Sequence, residues 1–126
     1  MRSYLIIITI IVLLAGGSFW GNNYINTSTQ KLVVFVESAD EQIDQHDWEQ
    51  AHRQLNNLQQ AWNETKDVWS VLVNHQEIDT IDITIVRLSE YIQAQNAVLA
   101  SGEIATLQLL FEHIADAEIF NLKNIL

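Results

Sequence analysis

The chain has 126 residues, which leaves room for one domain. The absence of cysteine excludes a disulfide framework, a thiolate metal site and a cysteine nucleophile. A formal charge of −10, from 16 acidic against 6 basic residues, offers no basic face for nucleic-acid phosphates and disfavours peripheral binding to anionic lipid. The acidity reads as solvated surface.

Proline is absent and there are four glycines, three of them (Gly16, Gly17 and Gly21) near the N-terminus. A β-rich chain needs more turn residues than that, whereas helices do not. The expected fold is therefore all-α.

Residues 1–20 read MRSYLIIITIIVLLAGGSFW, with no charge between Arg2 and Lys31. The apolar run from Tyr4 to Trp20 is about 25 Å long as a helix, near the short limit for a ~30 Å hydrocarbon core. Tyr4 at one end and Phe19 with Trp20 at the other suit the two interfacial belts. Arg2 and the amino terminus keep the short side cytoplasmic. The expected organisation is a cytoplasmic N-terminus over 1–3, a transmembrane anchor over 4–21, a juxtamembrane segment over 22–30 and an extracytoplasmic helical domain over 31–126. A cleaved signal peptide is the competing reading, because Ala15, Gly16, Gly17 and Ser18 resemble a cleavage region. Phe19 and Trp20 directly after them argue for an uncleaved anchor.

Beyond the anchor, apolar residues recur at three- and four-residue steps. The first series is Leu32, Phe35, Val36, Ala39 and Ile43, either continuing the membrane helix or following a bend at Gly21–Asn22–Asn23. Asp47 is a good N-cap with Gln50 as its capping-box partner. The second series is Trp48, Ala51, Leu55, Leu58, Trp62, Thr65, Trp69 and Leu72, with a polar opposite face of Glu49, Arg53, Gln54, Asn56, Asn57, Gln60 and Asn63. A third series runs Ile78, Ile81, Ile85, Leu88, Ile92, Gln95, Leu99, with Ser101–Gly102 expected to end it and cap the next helix. The fourth runs Ile104, Leu107, Phe111, Ile114, Glu118, Asn121, Ile125. Steps averaging 3.5 residues and short connections predict an up-and-down bundle of about four antiparallel helices. A faint repeat at an offset of 54 aligns Asp47-Trp48-Glu49-Gln50-Ala51 with Ser101-Gly102-Glu103-Ile104-Ala105.

The stretch VNHQEIDTID, residues 73–82, gathers one histidine and three carboxylates. Asn74 and Glu77 fit a capping box, and Asp79 and Asp82 suit the dipole of an early helical turn. His75, placed on the inward side, shares a face with Asp79 and Asp82. The stretch lacks the ligand set of a zinc site and the HExxH order of a zinc peptidase, so capping and packing is the expected role. DEQIDQHD, from Asp40 to Asp47, has no central glycine for a calcium loop and reads as a solvated turn. His113, next to Glu112, borders the last apolar stripe. No nucleophile elbow or phosphate loop is present. Glu118 occupies a core-facing slot, with Arg87 or His75 as the expected partner. Trp48, Trp62 and Trp69 share one stripe, read first as core and alternatively as a partner-binding strip.

DWEQAHRQLNNLQQAW, NHQEIDTIDITIVRLSEYI and the ending NLKNIL, together with the short apolar N-terminus, resemble an uncharacterised family of small membrane-anchored proteins of spore-forming Firmicutes. The resemblance covers nearly the whole chain. It implies bacterial origin, a helical domain outside the cytoplasmic membrane, and company with a multi-span membrane protein. It supplies no catalytic residue.

The expected function is thus a non-enzymatic, membrane-anchored interaction module accessory to another membrane protein. No catalytic residue, cofactor or metal site is assigned. The expected partners are membrane lipid through the N-terminal helix and an integral membrane protein, with a homo-oligomer possible and nucleic acid excluded. Contact is expected through the amide-rich face of Asn56, Asn57, Gln60 and Asn63, or through the membrane helix at Gly16 and Gly17. The alternative is an extracytoplasmic sensor or binding domain for a small ligand or cation.

Overall fold

Uninterrupted helix formers and the lack of proline leave capping residues as the main local punctuation. The computed structural model describes the backbone of residues 1–125 and the side-chain surroundings of residues 1–117. It contains four helices: α1, Arg2–Asp44; α2, Trp48–Leu72; α3, His75–Gln93; and α4, Ala97–Ile125. No strand occurs among the described residues.

The helices form a closed up-and-down bundle. α1 packs against α2 and α4, and α3 packs against the same two. One stripe from each helix fills the centre. It includes Leu32, Val36, Ala39 and Ile43 from α1, and Ala51, Leu55, Leu58, Trp62 and Trp69 from α2. α3 adds Ile78, Ile81, Ile85, Leu88 and Ile92, and α4 adds Ala100, Ile104, Leu107, Phe111 and Ile114. Each fully buried large side chain contributes about 1.5–3 kcal/mol, so this stripe holds the four helices together.

α1 is a single unbroken helix of 43 residues, about 64 Å long. The helix continues without interruption through Gly21–Asn22–Asn23. Packing into the bundle begins at Gly21 and Ile25 rather than at residue 31. Among the polar residues there, Asn23 is exposed to solvent and a hydroxyl can turn back on the helix. Ser28 Oγ, for example, donates to the Tyr24 carbonyl at 2.6 Å. Ahead of Gly21 the helix is apolar on all sides and exposed, from Tyr4 through Trp20. α1 is thus the one described helix long and apolar enough to cross a membrane.

The α3–α4 turn corrects the expectation placed at Ser101–Gly102. α3 stops at Gln93, and residues 94–96 make the turn. Gln95 adopts a left-handed conformation with φ 55°, its N–H bonding the Ile92 carbonyl at 3.0 Å, while Asn96 N–H reaches the Tyr91 carbonyl at 2.9 Å. Asn96 Oδ1 then accepts from Leu99 N–H at 3.1 Å to start α4. Gln95 and Leu99 therefore do not extend the third stripe, and Leu99 is exposed.

The α1–α2 turn repeats this geometry. His46 has φ 57°, His46 N–H bonds the Ile43 carbonyl, Asp47 N–H bonds the Gln42 carbonyl, and Asp47 caps α2 through Gln50 N–H at 3.2 Å. Both turns are Schellman-type caps, built at a non-glycine residue despite the roughly 1–2 kcal/mol steric cost of the left-handed region. The internal repeat accordingly has the offset from Asp47 to Asn96, not 54. At that offset Leu32, Val36, Ala39 and Ile43 match Ile81, Ile85, Leu88 and Ile92, and Ala51, Leu55, Leu58 and Trp62 match Ala100, Ile104, Leu107 and Phe111.

Candidate functional site

At the end of the bundle nearest the apolar half of α1, large aromatic rings fill the core. The ring centroids of Trp62 and Trp69 lie 5.5 Å apart, edge to face, and Phe111 lies 6.4 Å from Trp62 and 6.1 Å from Trp69. A buried indole N–H must find an acceptor. Trp69 Nε1 donates to Ser28 Oγ at 2.9 Å, which ties α2 to α1. Trp62 Nε1 donates to Asp82 Oδ1 at 2.7 Å, which ties α2 to α3.

The second oxygen of Asp82 receives Lys66 Nζ at 2.6 Å. This hydrogen bond holds the Lys66 ammonium above its ordinary pKa, and the nearby Asp82 charge acts in the same direction. Lys66 follows Trp62 by one helical turn, so both donors project from one side of α2 onto a single carboxylate. Asp82 has an oxygen for each. A carboxylate occupied in this way acts as a clip between helices.

Three shallow clefts border this region. One, of about 270 Å³, lies between α1 and α2 and is lined by Lys31, Phe35, Asn57, Gln60, Ala61 and Glu64. A second, of about 240 Å³, shares Lys31 and Glu64 and extends to Tyr24, Thr27, Ser28 and Thr65. The two make one groove with a cation on one wall and a carboxylate on the other. The third, of about 260 Å³, lies in the α2–α3 seam between Gln59, Trp62, Asn63, Asp82, Ile85 and Val86.

The residues singled out from the sequence separate accordingly. Asn74 caps α3, with Oδ1 accepting from Gln76 N–H at 2.9 Å. Glu77 turns instead to the imidazole of His113, at 3.5 Å across α3 and α4. His75 is exposed, not inward, because the buried stripe of α3 begins at Ile78. Asp79 is exposed and Asp82 faces α2, so His75, Asp79 and Asp82 do not converge. Among the described residues no group of three or more histidines and carboxylates is arranged to hold a metal.

The acidic stretch from Asp40 to Asp47 forms the end of α1 and the turn after it. Asp40 is half-buried there, and desolvation, reinforced by Asp44, raises its carboxyl pKa. Trp62 and Trp69 are buried and Trp48 is half-buried, so the tryptophan stripe is core and not a free aromatic surface. Arg87 Nε lies 3.3 Å from Glu103 Oε1, between α3 and α4. The side chain of Glu118 lies outside the described residues.

Asn56, Asn57, Gln60 and Asn63 are all exposed, and Asn57 and Gln60 line the α1–α2 groove. Lys31, Phe35 and Lys66 were not expected at a site. Lys66 shares a helix face with Trp62, a four-residue signal present in the sequence. The closeness of Lys31 to Gln60 depends on how α1 and α2 pair.

No curated protein and no solved structure matches the chain. A family model described as "Domain of unknown function (DUF4363)" matches residues 19–125, which spans the described bundle and leaves most of the exposed apolar stretch outside it. By that match over most of its length, the chain belongs to this family of unknown function.

Proposed function

We propose that the chain is a non-enzymatic, membrane-anchored interaction module. Its N-terminus is cytoplasmic, its bundle extracytoplasmic, and its main partner an integral membrane protein. The observation that carries this reading is the continuity of α1. The same helix presents an all-round apolar surface from Tyr4 to Trp20 and then becomes a wall of the bundle from Gly21. Tethering of this kind confines the bundle to a thin layer and raises its effective concentration for a neighbouring membrane protein. The asymmetry of charge around the span, with Arg2 on the short side, supports the orientation. The resemblance of its motifs to small membrane-anchored proteins of spore-forming Firmicutes supports the setting.

The contact face in this proposal is the groove of Lys31, Phe35, Asn57, Gln60 and Glu64. Its walls offer both charges, amides and part of an aromatic ring without requiring the core to open. Cross-linking from a single cysteine at Gln60, in native membranes and read by mass spectrometry, tests the proposal. The expected product joins the bundle to a multi-span protein. Only self-linked product would replace that partner with a second copy of the chain. No product from several groove positions would count against an interaction role.

A further inference from the structure

We infer that the α2–α3 turn, residues 71–76, is a second membrane-contacting surface that rests in the headgroup layer of the bilayer beside the point where α1 emerges. This rests on the reading of the N-terminal half of α1 as a membrane span. Given that span, the position of the turn follows from packing. α1 has no linker between its apolar half and the bundle. Gly21, one residue after Trp20, is already buried against α2, where an added Cβ would lie 3.3 Å from Leu72 Cδ2. The last residue of α2 is therefore level with the end of the apolar run.

α2 approaches that level and α3 leaves it, so the connection between them faces the bilayer. Phe19 and Trp20 are exposed on α1 at the same height, and Trp20 stacks on Tyr24 at 5.5 Å. Tryptophan is favoured at this depth because its ring is apolar and its N–H seeks water.

The chemistry of the turn fits a lipid headgroup layer. From Val71 to Gln76 the side chains are Val, Leu, Val, Asn, His and Gln, with Asp67 before them and Glu77 after them as the nearest carboxylates in the chain. Val71 is 85% exposed and has apolar area that an interface could cover. The opposite end of the bundle pairs an equally uncharged α3–α4 turn, where Val98 is 82% exposed, with a strongly acidic one. Its α1–α2 turn is flanked by Asp40, Glu41, Asp44, Asp47 and Glu49. That density of negative charge suits solvent and would be repelled by anionic headgroups. α2 places the two ends about 37 Å apart, from 25 residues at ~1.5 Å each. The α2–α3 turn, not the acidic α1–α2 turn, is the one that α1 holds level with Trp20.

The full chain contains no native cysteine, so single replacements report position without a background. Val12→Cys, Val71→Cys, Gln76→Cys and Ala94→Cys would each be labelled with bimane and reconstituted into phosphatidylcholine vesicles. The vesicles would carry a nitroxide either on the headgroup or within the acyl chain. Val71, Gln76 and Ala94 are exposed, so these replacements leave the core intact. The expected result is quenching at Val12 by the acyl nitroxide, and quenching at Val71 and Gln76 by the headgroup nitroxide several times that at Ala94. Quenching at Val12, with Val71 and Gln76 no more quenched by either nitroxide than Ala94, would overturn the inference and leave the anchor standing. Absence of quenching at Val12 would overturn the anchor reading, and the inference with it.

Discussion

The two ends of the bundle solve the same packing problem with different residues. Away from the apolar half of α1, the core is small and aliphatic. Ala39, Ala51 and Ala100 are fully buried among Ile43, Leu55, Leu88 and Ile92, and two near-identical turns close that end. At the other end the core holds Trp62, Trp69 and Phe111, and its buried polar atoms join the helices through Ser28 and Asp82. Alanine lets helices approach, and a Schellman turn fixes their connection. Aromatic rings span a wider space, and their N–H groups make directional bonds. One end is specified by local chain geometry, the other by contacts between residues far apart in sequence.

The sharpest test of this contrast is Trp69→Ala. It removes a fully buried ring and leaves Ser28 without its indole donor. A loss of about 3–5 kcal/mol is expected for such a truncation. It would be read as a lower urea midpoint of the full chain in detergent, followed by circular dichroism. A change within the range of surface substitutions would mean that the aromatic end is not the stabilising one.

Ala51→Leu attacks the other end by overfilling it. Ala51 is fully buried, and extra methylenes in a close-packed core typically cost about 1–3 kcal/mol. No measurable shift in the same unfolding experiment would show spare room around the alanines.

Asp82→Ala tests the clip and is expected to cost about 1 kcal/mol, the scale of a net hydrogen bond. Its pH dependence carries a sign. The folded pKa of Lys66 is raised, chiefly by the hydrogen bond it donates to Asp82. The stabilisation from that bond is fully present below the unfolded-state value and is lost as pH rises through the folded value. The difference between wild type and variant should therefore shrink in strongly alkaline solution, and a difference that grows there would contradict the assignment.

The smallest effect belongs to Asp40, at the alanine-rich end. Its folded pKa is raised by desolvation and by Asp44. The associated stability is present below the ordinary value of 3.8 and lost as pH rises through the folded value. At neutral pH the ionised carboxylate is thus slightly unfavourable. Asp40→Asn is expected to stabilise by no more than about 0.5 kcal/mol, with the gain disappearing in acid. Destabilisation at neutral pH would indicate a favourable contact for the carboxylate.

The caps at Asp47 and Asn74 and most of the apolar stripes were legible in the sequence, because each depends on residues within a few positions of one another. Ser101–Gly102 misled because glycine is the usual left-handed residue after a helix. Here Gln95 takes that conformation at a steric cost, and Gly102 sits in α4 with open space around it. His75 misled because three-residue spacing from Ile78 was extended backwards past the cap. Periodicity says which residues share a face only while the helix continues.

Length, composition and three- and four-residue spacing by themselves determined an all-α chain with an apolar N-terminal helix, since these properties act along the chain. Only the tertiary structure decided that α1 runs unbroken from the apolar stretch into the bundle, that Asp82 faces Trp62 and Lys66 rather than His75, and that Lys31 meets Gln60 across a groove. The physical reason is the same in each case. An isolated helix has many orientations about its axis, and burial against its two neighbours selects one of them, thereby choosing which polar side chains meet.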